Sequence, residues 1–217
     1  MTDKQLNDKS IWDEIYRKTE NKPGWDLPGA DPNMTDLIGK HGGKDDSMRI
    51  LDVGCGNGRN APVAESLGAA YCGTDFSSSA VAHCRELYPD RDFYIQDICA
   101  DLEGTELGES GPYDVVMDCG CFHAIPPQQR GAYIANAALL CRPGGLLVIG
   151  SWHRGEGVDG NDPQYYPYLY LSEWFFNAGD IESLFGNTFE LIDSRVDRDV
   201  YPGMFDGFAY FALRRCK

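Results

Sequence analysis

The sequence predicts an α/β fold: a seven-stranded, mostly parallel sheet with helices on both faces and an antiparallel strand at one edge. From about residue 49 onward, short β-branched or apolar runs alternate with longer mixed segments, the pattern of consecutive βαβ units. The first of these runs ends in a cluster of glycines, and two closing runs near the C-terminal end complete the strand count.

Arg49-Ile50-Leu51-Asp52-Val53 reads as the first strand and breaks at Gly54-Cys55-Gly56-Asn57-Gly58. Residues 59–67 form a predicted helix stopped by Gly68, because glycine reaches the left-handed C-terminal conformation without steric cost. Ala69 to Asp75 reads as the second strand. Ser77-Ser78-Ser79 then caps a helix carrying Val81, Ala82, Arg85 and Leu87, which ends before Pro89. Phe93-Tyr94-Ile95 makes a short third strand, and Tyr113 to Asp118 a fourth after a Gly-rich acidic loop. Pro126 and Pro127 open a helix through Leu140, and Arg142-Pro143-Gly144-Gly145 turns into a fifth strand at Leu146 to Gly150. Residues 151–172, rich in Gly, Pro, Tyr and Asp, read as a long loop of the kind that carries function in compact domains. A helix over 173–185 and strands at 189–192 and 208–213, one of them antiparallel, complete the chain. A single domain is expected over 1–217, with an N-terminal helical cover at 1–45, a ligand-binding core at 48–150, and a substrate-side loop with the closing strands at 151–217.

Composition narrows the function. The 217 residues, 42% hydrophobic and 24% charged, suffice for one globular domain with its own core. A formal net charge of −15, from 34 acidic against 19 basic residues, creates a field that repels phosphate backbones and anionic membranes. Nucleic acid and membrane are therefore not expected partners. No apolar run has membrane-spanning length and the first ten residues are polar, so a cytoplasmic location is expected. The eight cysteines include no Cys-x-x-Cys pair, and several fall inside apolar runs, so neither a disulfide framework nor a metal site is expected.

The glycine cluster carries the chemistry. In open α/β sheets, ligands bind beyond the carboxyl ends of the strands, where glycines let backbone amides approach closely. After Gly54 and Gly56, the third small residue of a dinucleotide fingerprint would fall at position 59, which is Arg59, so a nicotinamide or flavin dinucleotide is disfavoured. Asp52, two residues before the first glycine, would project at the strand end; a carboxylate there opposes a diphosphate and suits a cationic ligand. Asp75 ends the second strand, where an acid accepts hydrogen bonds from ribose hydroxyls, Phe76 offers a face for adenine, and Asp97 could accept its amino group. The bland readings are a structural turn for Gly54, Gly56 and Gly58, caps for Asp52 and Asp75, and a turn former for Asp97.

The ordered elements Leu51-Asp52-Val53-Gly54-Cys55-Gly56-Asn57-Gly58, Gly73-Thr74-Asp75-Phe76-Ser77, Gln96-Asp97, Tyr113-Asp114-Val115-Val116 and Leu140-Cys141-Arg142-Pro143-Gly144-Gly145 resemble the successive motifs of Rossmann-like, class I S-adenosylmethionine-dependent methyltransferases. The resemblance covers residues 48–150. It implies that Gly54, Gly56 and Gly58 cradle the methionine part of S-adenosylmethionine, that Asp75 takes the ribose, and that Asp97 with Ile98 addresses adenine; Cys119, at the fourth strand's end, is placed at the cofactor as well. Trp12 to Ile38, with Tyr16 and Pro23-Gly24-Trp25-Asp26, is similar to the N-terminal cover of the thiopurine and thiol methyltransferase branch, whose members methylate small soft nucleophiles. The run Asp118 to Pro126 departs from a strict thiol methyltransferase and leaves the acceptor atom open among S, N and O.

His123 follows the fourth strand's end, where a neutral imidazole could take a proton from the acceptor, or could simply be hydrogen-bonded in its loop. His153 is a second candidate, on the acceptor side, while His41 and His83 read as surface residues. Tyr165, Tyr166, Tyr168 and Tyr170 either line an acceptor pocket, Tyr166 and Tyr168 foremost, or pack the loop, with Trp174 and Phe175 or Phe176 in the core. Trp25 either closes over the cofactor or anchors the N-terminal segment. The expected activity is methyl transfer to a small-molecule acceptor by a monomer or homodimer. The alternatives are a non-catalytic S-adenosylmethionine-binding module and an aminopropyltransferase on the same fold.

Overall fold

The computed structural model describes residues 9–18, 25, 27–43, 47–157, 159, 164–166, 171–201 and 205–217, with only the backbone described for 164–166 and Leu171. Helices α1 (Lys9–Arg17) and α2 (Pro32–His41) precede β1 (Arg49–Val53). Then come α3 (Ala61–Leu67), β2 (Ala70–Asp75), α4 (Ser78–Leu87) and β3 (Asp92–Ile95). The chain continues through α5 (Glu106–Ser110), β4 (Tyr113–Cys119), a 3-10 turn at Phe122–Ala124, α6 (Pro127–Leu140) and β5 (Cys141–Trp152). A hairpin of β6 (Gln164–Tyr166) and β7 (Leu171–Glu173) is followed by α7 (Ala178–Phe185), β8 (Phe189–Asp197) and β9 (Phe208–Arg215).

The seven-stranded sheet has the order β3-β2-β1-β4-β5-β9-β8. The first five strands pair in parallel, and β9 runs antiparallel to both β5 and β8, so antiparallel pairing is confined to one edge. Alternate strand residues serve two cores, as the pleat requires. Ile50, Val115, Val148 and Tyr210 face the core built with α2, α3 and α4, whereas Leu51, Val116, Leu147 and Phe211 face the one built with α6 and α7. This is the expected layered fold, with helices on both faces. The strand order reverses between β1 and β4, which opens a crevice at their carboxyl ends.

Several boundaries differ from the sequence reading. The acidic segment before β4 contains α5, capped by the Thr105 side chain accepting from Gly108 N at 3.1 Å. The Arg142–Gly145 turn lies within β5, as an irregularity where pairing steps from Tyr113↔Cys141 to Val115↔Leu146. The helix expected from 173 starts at Ala178, because Asn177 and Asp180 form a reciprocal capping box and Trp174 to Phe176 are drawn into the core instead. Residues 164–166 and 171–172, expected in a loop, and Glu173, expected to open the helix, pair as strands. His41, expected at the surface, is half-buried against Asp193 at 2.8 Å. Among the described residues, no helix is long and apolar enough to cross a membrane.

Candidate active site

The chain leaves β1 through Gly54, Gly56 and Gly58, whose φ values of 68°, 51° and 73° lie in the left-handed region that side chains resist. A Cβ on Gly54 would meet the Cys121 Cβ at 2.5 Å, and one on Gly56 would meet the Tyr16 hydroxyl at 2.7 Å. Bare backbone is thus required where the loop faces the crevice. The loop is pinned to β2, since Gly54 N and Cys55 N both donate to Thr74 O, at 2.8 and 3.0 Å.

Two cavities adjoin at this loop. The first is lined by Asp75, Phe76, Asp97 and Ile98 from the ends of β2 and β3, and by Lys9 from α1. Asp75 is nearly buried and accepts from Gly56 N at 3.0 Å and Ser77 N at 2.9 Å; burial pushes its carboxyl up to about 6. Asp97 accepts from Cys99 N at 2.9 Å and is ion-paired to Lys9. Helix α1 lies across the opening because Asp13 accepts from Ser77 Oγ at 2.7 Å and Ser79 N at 3.1 Å, at the amino end of α4 where a carboxylate is favoured.

The second cavity shares Trp12, Tyr16, Gly54 and Gly120 with the first and continues to Trp25, Arg59, Cys119, His123, Trp152 and Glu173. Trp12 and Trp25 pack with ring centroids 5.5 Å apart. Arg59 is held by Gly29 O at 3.0 Å and Tyr201 Oη at 3.3 Å, with Asp31 at 3.7 Å. His123 is buried and stacks on Trp152 at 5.7 Å and 15°. Its Nε2 lies 3.4 Å from Glu173 Oε1, and Trp152 Nε1 donates to Glu173 Oε2 at 2.5 Å.

Of the residues singled out in the sequence, Trp25, Gly54, Gly56, Asp75, Phe76, Asp97, Ile98, Cys119 and His123 line one or both cavities. Asp52 does not: its carboxyl is buried, accepts from Tyr71 Oη at 2.8 Å and lines neither cavity. Gly58 lines neither either, because its outer side meets Tyr88 and Cys84, and its role is to seat the loop on α4. His153 turns to Asp206, 3.3 Å from Nδ1, away from both cavities, because its backbone is tied to the Gly207 carbonyl beside β9. The Tyr166 side chain and Tyr168 lie outside the described residues. Sequence reasoning missed Lys9, Arg59, Trp152 and Glu173 as site residues; only Arg59 stood beside a recognised motif.

Residues 50–145 match the methyltransferase domain family. That segment, from β1 to the turn within β5, is similar to a methyltransferase domain. Over 213 aligned residues it is 26% identical to a tRNA N(3)-methylcytidine methyltransferase of Schizosaccharomyces pombe, covering 86% of this chain and 66% of that protein. It is 27% identical to a ubiquinone biosynthesis O-methyltransferase of Rhodopseudomonas palustris, over 49% of this chain and 41% of that one. The chain thus spans two thirds or less of either relative. Among solved structures, it resembles the 1,6-didemethyltoxoflavin-N1-methyltransferase of Burkholderia thailandensis, determined with its acceptor and S-adenosylhomocysteine (TM-score 0.72, 17% identity, 96% of this chain and 89% of that one). It also resembles the magnesium protoporphyrin IX methyltransferase of Synechocystis, determined with S-adenosylmethionine (TM-score 0.65, 18% identity, 97% and 98%). At these identities the structural likeness shows the fold alone.

Proposed function

We propose that this chain transfers the methyl group of S-adenosylmethionine to a small-molecule acceptor at sulfur, nitrogen or oxygen. The observation that carries this reading is the pair of adjoining cavities that share Gly54 and Gly120, one with the lining of a nucleoside site and the other with a histidine at its wall. The first cavity fits the cofactor. Asp75 suits the ribose hydroxyls, Phe76 and Ile98 the adenine faces and Asp97 its amino group, while Trp25 and Cys119 border the methionine end over the bare backbone of Gly54 and Gly56. Asp52 and Asp118, buried at the tips of β1 and β4, are carboxyls whose ionised forms a cationic ligand would favour without touching them. The cover formed by Trp12, Tyr16 and Trp25 supports a place near the thiopurine and thiol methyltransferase branch.

Bound S-adenosylmethionine supplies an electrophilic methyl group on a sulfonium. Trp25, Trp152, Tyr201 and Phe208 exclude water around the acceptor, which keeps the charged reactants from being stabilised more than the transition state. His123 takes the proton when the acceptor is not already ionised. A nucleic-acid acceptor is opposed by the net charge of −15. The reaction is placed in the cytoplasm, where eight unpaired cysteines stay reduced, and the single domain acts as a monomer or homodimer.

The test is thermal stabilisation by S-adenosylmethionine, S-adenosylhomocysteine and NAD, followed by labelled methyl transfer to thiols, phenols, N-heterocycles and total tRNA. Stabilisation by the first two and labelling of a small molecule is the expected result. Protection by NAD alone would overturn the cofactor, and labelling of tRNA alone would overturn the acceptor class.

A further inference from the structure

We infer that Glu173 is a positioning residue for His123, and that the acceptor site is therefore built for a nucleophile that arrives as a neutral N–H, O–H or S–H acid. This inference rests on the methyltransferase reading above. Both side chains are nearly buried, at 6% and 8% exposure, with Nε2 and Oε1 3.4 Å apart, and both line the second cavity. The Trp152 indole N–H holds the other carboxylate oxygen, while the same indole stacks on the imidazole, so one side chain fixes the acid and the ring together. Phe208 closes the ring edge-on at 6.1 Å.

With Nε2 turned to Glu173, the proton sits on Nε2 and the lone pair on Nδ1, an assignment made from contacts. Nδ1 is buried and has no hydrogen-bond partner among the described residues, which leaves its lone pair for a ligand or an ordered water. The acceptor's X–H bond breaks, its proton forms the new N–H at Nδ1, and the electron pair left on X makes the new bond to the methyl carbon as the methyl–sulfur bond breaks, its pair staying on the sulfur of the neutral thioether that leaves. Glu173 then faces an imidazolium, and the pair is neutral overall. An acceptor that entered as an anion would give the base no proton to take and would meet the Glu173 carboxylate on that wall, while Arg59 opposite is already faced by Asp31. The other charged or titratable groups around His123 are Asp118 at the tip of β4, Arg59 and Tyr201 across the cavity, and Cys119 and Cys121 in its own loop. Glu173 alone among these lies within ion-pairing distance of the ring.

Trp152 supplies a readout that needs no acceptor, because a protonated imidazole quenches an indole stacked on it. Tryptophan fluorescence titrated from about pH 5 to 9 should show a step that is lost in His123→Asn. In Glu173→Gln that step should move to lower pH, since a charge beside the ring is gone. The acidic limb of the pH–rate profile should move with it, with cofactor KM unchanged. Glu173→Asp keeps the charge but withdraws it by one methylene and should give a smaller shift, which carries the test if Glu173→Gln does not fold. An unmoved step in folded Glu173 variants would overturn the inference. Failure of S-adenosylmethionine to stabilise the wild type would overturn the function instead, and the titration tells the two apart.

Discussion

Gly56 shows how narrowly the loop is specified at the residue scale. Its φ of 51° and the Tyr16 hydroxyl at the place of a Cβ together forbid a side chain. Gly56→Ala should cost about 1–2 kcal/mol for the left-handed conformation alone. It should also push Tyr16 from the shared wall of the cavities and weaken S-adenosylmethionine binding, as read by the thermal shift with saturating cofactor. His123→Ala should lower turnover by about 10²-fold while leaving cofactor affinity intact; undiminished turnover would return His123 to a packing role. Gly54, Gly56, Asp75 and Asp97 were legible in the sequence because each sits at a strand tip, at a spacing dictated by the βαβ repeat. Glu173 was not, because nothing local to Ser172-Glu173-Trp174 shows that the hairpin returns to the 3-10 turn holding His123.

Among the elements, α1 is the one whose position depends on a few polar contacts, since none of its residues is fully buried. Asp13 ties it to the first turn of α4, and Lys9 ties it to Asp97. Asp13→Ala should remove a capping interaction of about 0.5–2 kcal/mol and loosen the cover. The expected signs are faster protease cleavage between α1 and α2 and roughly tenfold weaker cofactor binding, with the melting temperature of the cofactor-free protein lowered by only a few degrees. Equal cleavage in both proteins would show that Asp13 does not hold the cover. The sequence reading recovered the core strands and the helices after β1, β2 and β4, where apolar patterning and caps agree. It misplaced the start of α7 because the apolar run Trp174-Phe175-Phe176 suits a buried strand as well as a helix, and only the Asn177 cap decides between them.

For the whole molecule, the sheet gathers like charges that no single element explains. The sequence patterning located seven strands, but the insertion of β9 between β5 and β8 is a tertiary choice that local periodicity does not encode. Parallel pairing brings the tips of β1, β2 and β4 together, and with them Asp52, Asp75 and Asp118, all buried. Burial is the largest cause of the upward shift in each, to about 8 for Asp52 and about 6 for Asp75, and mutual repulsion adds to it for Asp52. A carboxyl raised in the folded state binds its proton more tightly there than in the unfolded chain. Its contribution to stability is therefore full below the unfolded value near 3.8 and is lost as pH rises through the folded value. Asp193, held down to about 2 by His41 and Lys40, acts in the opposite sense, but its stabilisation is complete above about pH 4 and stays constant over the relevant range. The cofactor-free protein should accordingly melt at progressively lower temperature from about pH 5 to 9, and Asp52→Asn should flatten the upper part of that fall. A cationic ligand beside the strand tips favours the ionised carboxylates, so S-adenosylmethionine binding should release protons, detectable by calorimetry in buffers of different ionisation enthalpy. S-Adenosylhomocysteine, which lacks the sulfonium charge, should release fewer. A melting temperature that holds steady or climbs across this range would show that burial does not raise the three carboxyls.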